Sequence, residues 1–129
     1  MSFAISQYQA VRVVTASPLQ VIVELYGGAV RFLNAGIAAV ARGDHAGKGA
    51  SFAKAHAIIS ELRATLDAQA APDLSRELSS LYDFVLTCIS ETNIDNDVQR
   101  LQGAVRVVEK LRSAWEQLAN REQGKDADP

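Results

Sequence analysis

The stretch Thr15-Ala16-Ser17-Pro18-Leu19-Gln20 opens a run that meets no further proline before it closes at Arg42-Gly43-Asp44. Ser17 suits an N-cap, because its hydroxyl can accept an orphan backbone N–H two or three residues on. Pro18 falls at the first helical position, where the missing N–H costs nothing, and Gln20 completes a capping box. At the far end a basic residue sits in the last turn and Gly43 supplies the stop. These signals predict a helix over 18–42.

Outward from it, the apolar spacing stays helical and no run alternates as a strand would. A second helix is expected from Asp44 or His45 to about 69. Its start is weakened by Gly47 and Gly49, each costing about 1 kcal/mol relative to Ala. Phe52, Ala55, Ile59, Leu62 and Leu66 then recur at spacings of three and four. Ala70-Ala71-Pro72-Asp73 resets the chain. A third helix over about 73–93 carries Leu74, Leu78, Leu81, Val85, Cys88 and Ile89, and Asn93-Ile94-Asp95-Asn96 reads as a turn. A fourth helix, about 96–121, carries Leu101, Ala104, Val108, Leu111, Trp115 and Leu118. Helices of similar length joined by short links run antiparallel to their neighbours. The expected fold is all-α: an up-down four-helix bundle in one domain, 1–121, with residues 1–16 as a short N-terminal capping segment. The polar stretch 122–129, with its Gly and Pro, reads as a disordered tail.

The 129 residues are 48% hydrophobic and 22% charged, ordinary globular proportions. Thirteen Lys and Arg oppose fifteen Asp and Glu, a net charge of −2, which argues against a nucleic-acid platform or a polybasic membrane patch. A single cysteine, Cys88, allows no intrachain disulfide and fits a reducing compartment. The first residues lack a secretory signal pattern, and Gln20, Glu24 and Gly27 interrupt the first helix short of the ~20 apolar residues of a membrane span. A soluble, cytoplasmic protein without membrane insertion is expected.

Enzymatic constellations are missing. Neither histidine has a glutamate three residues before it, as carboxylate-bridged metal bundles require. His45 and His56 would stand roughly 16 Å apart along one helix, too far to share a metal. Cys88 on the apolar side of the third helix reads as a small hydrophobe, with no basic neighbour one turn away to activate it. The glycines lack the strand and the Lys-Ser/Thr pair of a phosphate loop. Gly27-Gly28 in mid-helix either admits a neighbouring helix closely or marks a kink. No cofactor or metal is called for, and an enzyme is not expected.

The distinctive feature is apolar breadth. On the first helix, Val21, Ile22, Val23, Leu25, Tyr26, Ala29, Val30, Phe32, Leu33, Ile37 and Val40 spread over roughly 200°. On the third, Tyr82, Phe84, Leu86 and Ile89 widen the core stripe on both flanks. The segment before Thr15, with Phe3, Ile5, Tyr8, Val11, Val13 and Val14, is apolar enough to lie over a groove as a lid. The rest of the surplus suits an amphipathic helix from another chain, a wide core or a homodimer face.

Six motifs then occur in order: Tyr8-x-x-Val11, Thr15-Ala16-Ser17-Pro18, Leu25-Tyr26-Gly27-Gly28-Ala29, Ile58-Ile59-Ser60-Glu61-Leu62, Leu78-Ser79-Ser80-Leu81-Tyr82-Asp83 and Leu111-Arg112-x-x-Trp115. Together, over about residues 5–120, they closely resemble the flagellar secretion chaperone family FliS. The resemblance implies a non-enzymatic helical bundle that binds the disordered C-terminal segment of flagellin in the cytosol. Such a protein prevents premature polymerisation and passes its cargo to the flagellar type III export apparatus. It also implies an N-terminal segment that covers part of the binding surface, its apolar and Tyr positions falling on Ile5 and Tyr8. The candidate partner-binding residues are Ile5, Tyr8, Val11, Leu19, Val23, Tyr26, Val30, Leu81, Tyr82, Val85, Leu86 and Ile89. Tyr26, Leu81 and Tyr82 match motif positions that serve core packing equally well. An export-gate component or a flagellar regulator is a further partner class, and an adaptor or homodimer binding such a regulator is the alternative reading. Two departures stand out: Gly27 where the family has Asp or Asn, and Thr92-Asn93 where it has Ala-Asn.

Overall fold

The computed structural model describes residues 18–127, with side chains through 124. Four helices follow in order: α1 Pro18–Arg42, α2 His45–Ala64, α3 Pro72–Asp95 and α4 Val98–Ala127. α1 packs on α2 and α4, and α3 packs on the same two, so α1 and α3 face each other across a diagonal. The fold is the expected all-α four-helix bundle, and among the described residues there is no strand.

The α1–α2 corner is two helix caps sharing one residue. Gly43 takes φ +70°, its N–H donates to the Val40 carbonyl at 3.1 Å, and the Asp44 N–H donates to Ala39 at 2.9 Å. These two bonds close α1 as a Schellman motif, for which a residue without Cβ is best suited. Asp44 then caps α2, its Oδ1 accepting from the Gly47 N–H at 2.9 Å. That bond, helped by Arg42, holds the Asp44 carboxyl below the usual carboxylate range. The Ser17 cap expected for α1 lies outside the described residues.

α2 ends at Ala64, five residues before the expected boundary. The Thr65 hydroxyl donates to the Leu62 carbonyl at 2.7 Å, and Asp67 Oδ1 accepts from the N–H groups of Gln69 and Ala70 at 3.0 and 3.1 Å. Local side-chain bonds of this kind offer the backbone an alternative to helix. Leu66, whose spacing extended the helical pattern, still packs on the core, but from the loop. α3 starts with Pro72 in its first turn and runs to Asp95, closing on Asn96 at φ 60°. The expected turn at 93–96 is therefore mostly helix. α4 continues to Ala127 rather than stopping near 121, and its start is capped by Asp97 Oδ1, which accepts from the Gln99 N–H at 3.1 Å. Nothing between 121 and 127 breaks a helix; Gly124 costs only about 1 kcal/mol.

α1 is the core helix, with Leu25, Tyr26, Ala29 and Leu33 at 1% exposure or less. Among the described residues it is also the one helix long and apolar enough, by length and composition, to cross a membrane. Its broad apolar arc is largely taken up by having two neighbours: Ile22, Phe32, Ile37 and Val40 all pack against the core from its flanks. α1 runs as one helix through Gly27-Gly28, and a Cβ on Gly28 would stand 3.4 Å from Ile58 Cδ1. The intimate approach lies two turns on, at Gly36, where a Cβ would overlap the Phe52 ring.

Candidate functional site

At the centre of the bundle three aromatic side chains from three helices meet. The hydroxyls of Tyr26 (α1) and Tyr82 (α3) are hydrogen-bonded, with ring centroids 6.4 Å apart and planes inclined at 37°. Trp115 of α4 donates its Nε1–H to the Tyr26 hydroxyl at 3.2 Å. Burial pushes both phenols above their ordinary range, and for Tyr82 the neighbouring Tyr26 adds to the shift. The polar tips of otherwise apolar rings are thus satisfied inside the core, as buried Tyr and Trp require.

Tyr82 and Trp115 also form the inner wall of a cavity of about 200 Å³ at one end of the bundle. Its other walls are Ile22 of α1, Leu62 of α2, Leu66 and Ala70-Ala71 of the loop, and Leu74 and Leu78 of α3. Leu74 is 51% exposed at the rim, unusual for a leucine beside an apolar space. Two other furrows run between helices. One of about 340 Å³ separates α1 from α4 and is lined by Gln20, Val23, Glu24, Arg112, Glu116 and Asn120, so its character is polar. One of about 170 Å³ lies between α2 and α3, with Gly49, Ala53, His56 and Ser90 among its walls.

The candidate residues divide into three groups. Tyr26, Val30, Tyr82, Val85 and Ile89 lie in the core, none more than 9% exposed. Leu19, Val23, Leu81 and Leu86 are half-buried on its outer flanks. Ile5, Tyr8 and Val11, with the lid expected over 1–16, lie outside the described residues. The cavity brings together Tyr82 of that set with Ile22, Leu62, Leu66, Leu74, Leu78 and Trp115, which were not singled out for binding. Helical periodicity could not assemble them, because the α2–α3 loop supplies part of the wall. The one available signal was Trp115, the only tryptophan, in the last motif.

Cys88 is buried, and desolvation pushes its thiol up, which disfavours the nucleophilic thiolate. Among the described residues no three His, Cys, Asp or Glu side chains gather where they could hold a metal ion.

A helical bundle with an apolar cavity at one end fits, with these motifs, the class of helical flagellar chaperones. The description of the flagellar protein FliS family matches residues 1–122, and the chain belongs to that family. It is 35% identical over 103 residues to the flagellar secretion chaperone FliS of Vibrio cholerae, covering 80% of this chain and 76% of that one. Over 108 residues it is 32% identical to the flagellar secretion chaperone FliS of Salmonella typhimurium, covering 83% and 80% of the two chains. The flagellar secretion chaperone FliS of Bacillus subtilis is 31% identical over 115 residues, 89% of this chain and 85% of its own.

Proposed function

We propose that this chain is a cytoplasmic export chaperone that binds the disordered C-terminal segment of flagellin, keeps it from polymerising and delivers it to the flagellar export apparatus. Membership of the FliS family supports the role, and the observation that carries the binding mode is the apolar cavity beside Trp115 with Leu74 exposed at its rim. A guest helix places anchors at i, i+3, i+4 and i+7, and one apolar anchor fits a space of this size. In this reading the half-buried Leu19, Val23, Leu81 and Leu86 meet the guest directly. Tyr26, Val30, Tyr82, Val85 and Ile89 stand behind them as the floor, and Ile5, Tyr8 and Val11 belong to a leading segment that yields its place. Ordering the guest costs about 2–5 kcal/mol, which keeps capture reversible. Nothing in this scheme makes or breaks a covalent bond.

Calorimetry and circular dichroism with a flagellin C-terminal peptide test the reading. One-to-one binding with a gain in helix supports it; no binding at tens of micromolar, or binding without added helix, contradicts it. Removing residues 1–12 is expected to speed association, and an unchanged rate would strike the lid from the scheme. The adaptor or homodimer reading draws on Phe84 and Leu118, 46% and 42% exposed on the outer surface. Sedimentation of the free chain as a tight dimer would favour it.

A further inference from the structure

The side-chain bonds that fasten α3 are concentrated at its C-terminal end. Lys48, from the first turns of α2, is only 9% exposed and donates from Nζ to the Asn93 carbonyl at 3.0 Å and the Asn96 side-chain oxygen at 2.8 Å. An ammonium on the last carbonyls of a helix meets the negative end of its dipole. Thr92 is fully buried and donates to the Asp97 carbonyl at 3.2 Å. Arg100 of α4 reaches back to Glu91 at 3.0 Å and Asp95 at 2.9 Å. Within little more than one turn, α3 is thereby tied to the start of α2 and the start of α4.

Its N-terminal end is held differently. The N-cap, Ala71, makes no side-chain capping bond, and the nearest polar fastening is the Ser75 hydroxyl on the loop carbonyl of Asp67 at 3.1 Å. Arg63 of α2 holds Asp83 through two bonds, at 2.7 and 3.2 Å, but this exposed pair lies at the inner limit of these turns, past Tyr82. Inward, Leu74 and Leu78 line the cavity, Leu78 from the edge of the packed core and Leu74 with half its surface exposed. Side chains bordering a void lose their dispersion partners on that side.

We propose that α3 is a hinged wall. The Lys48 and Arg100 clamp is the fixed end, and the turns from Pro72 to Tyr82 swing outward to widen the cavity beside Trp115. The Tyr82 hydroxyl leaves Tyr26 as the wall opens, while Trp115 stays bonded to Tyr26 because neither α1 nor α4 moves. Low-stability elements of this kind open locally without global unfolding. The motion belongs to the free chain and does not depend on which partner enters.

Hydrogen exchange of the full chain, read by mass spectrometry, tests it. Amides of residues 88–94 are expected to exchange at least about tenfold more slowly than those of 76–82 in the same helix. Lys48→Met keeps the length of the side chain but removes its donors. It is expected to bring 88–94 down toward 76–82 while residues 25–33 of α1 keep their protection. Equal or reversed protection of the two halves in the natural sequence would overturn the hinge, as would full protection of 88–94 in folded Lys48→Met. Should Lys48→Met not fold, the gradient in the natural sequence decides together with Arg100→Gln, expected to loosen 88–94 selectively; unchanged exchange there would count against the clamp.

Discussion

The hydroxyls of Tyr26 on α1 and Tyr82 on α3 are bonded to each other across the diagonal of the bundle, joining two helices that otherwise meet mainly through α2 and α4. Tyr26 is the shared partner, since Trp115 Nε1 donates to the same oxygen. Tyr82→Phe should therefore cost about 1 kcal/mol, the ordinary net worth of one hydrogen bond. Tyr26→Phe leaves the Tyr82 hydroxyl without its partner and the indole N–H without its acceptor, and should cost roughly 2–3 kcal/mol. Urea unfolding of the two variants checks the order, and equal losses would contradict it.

The same pair sets an alkaline dependence. Both phenols titrate higher in the folded chain than in the unfolded one. Above about pH 10 the unfolded chain gives up these protons first, so the stabilisation present below that pH is lost as pH rises. Urea midpoints are expected to fall above pH about 10. The fall should be smaller in the double Tyr26→Phe, Tyr82→Phe variant, and identical slopes would contradict the burial argument.

Gly36→Ala pushes a Cβ into the Phe52 ring and should destabilise by about 1–3 kcal/mol, the usual cost of overpacking. Gly27→Ala meets only ordinary contacts, at 3.7 Å from Arg31 and 3.8 Å from Arg112. It should stabilise by about 0.5–1 kcal/mol through helix propensity. Thermal melts of the two variants should therefore move in opposite directions.

Asp44 carries an acid dependence. Its folded carboxyl titrates below the usual range, so the cap contributes fully above about pH 4 and is lost as pH falls through the lower folded value. Asp44→Ala should lower the melting temperature by a few degrees at pH 7. The difference from the natural sequence should shrink at pH 3, and a gap independent of pH would mean that the carboxylate charge does not matter.

Much of this fold was legible in the sequence, because its decisive signals are local. Gly43 closed α1 where expected, and Pro72 marked the start of α3. The misplaced end of α2 has a physical reason: Leu66 continues a helical stripe, while Asp67 draws the backbone into a turn two residues later. The apolar breadth of α1 read as spare surface, whereas a helix flanked by two neighbours buries most of such an arc. Nothing in the sequence marks Lys48, which stands between Gly47 and Gly49, and only the arrival of Asn93 and Asn96 from α3 makes it a buried clamp. The cavity was invisible for the same reason, since its walls come from four helices and a loop.

The most direct test of the account uses Trp115, the only tryptophan, which lines the cavity. A flagellin C-terminal segment free of tryptophan, titrated into the full chain, should shift its emission saturably at one-to-one stoichiometry. Leu74→Glu, at the exposed rim, should weaken that response at least about tenfold, or 1.4 kcal/mol, while leaving the melting temperature nearly unchanged. Emission that stays constant while the segment binds, or binding indifferent to Leu74→Glu, would contradict the claim that this cavity receives the guest.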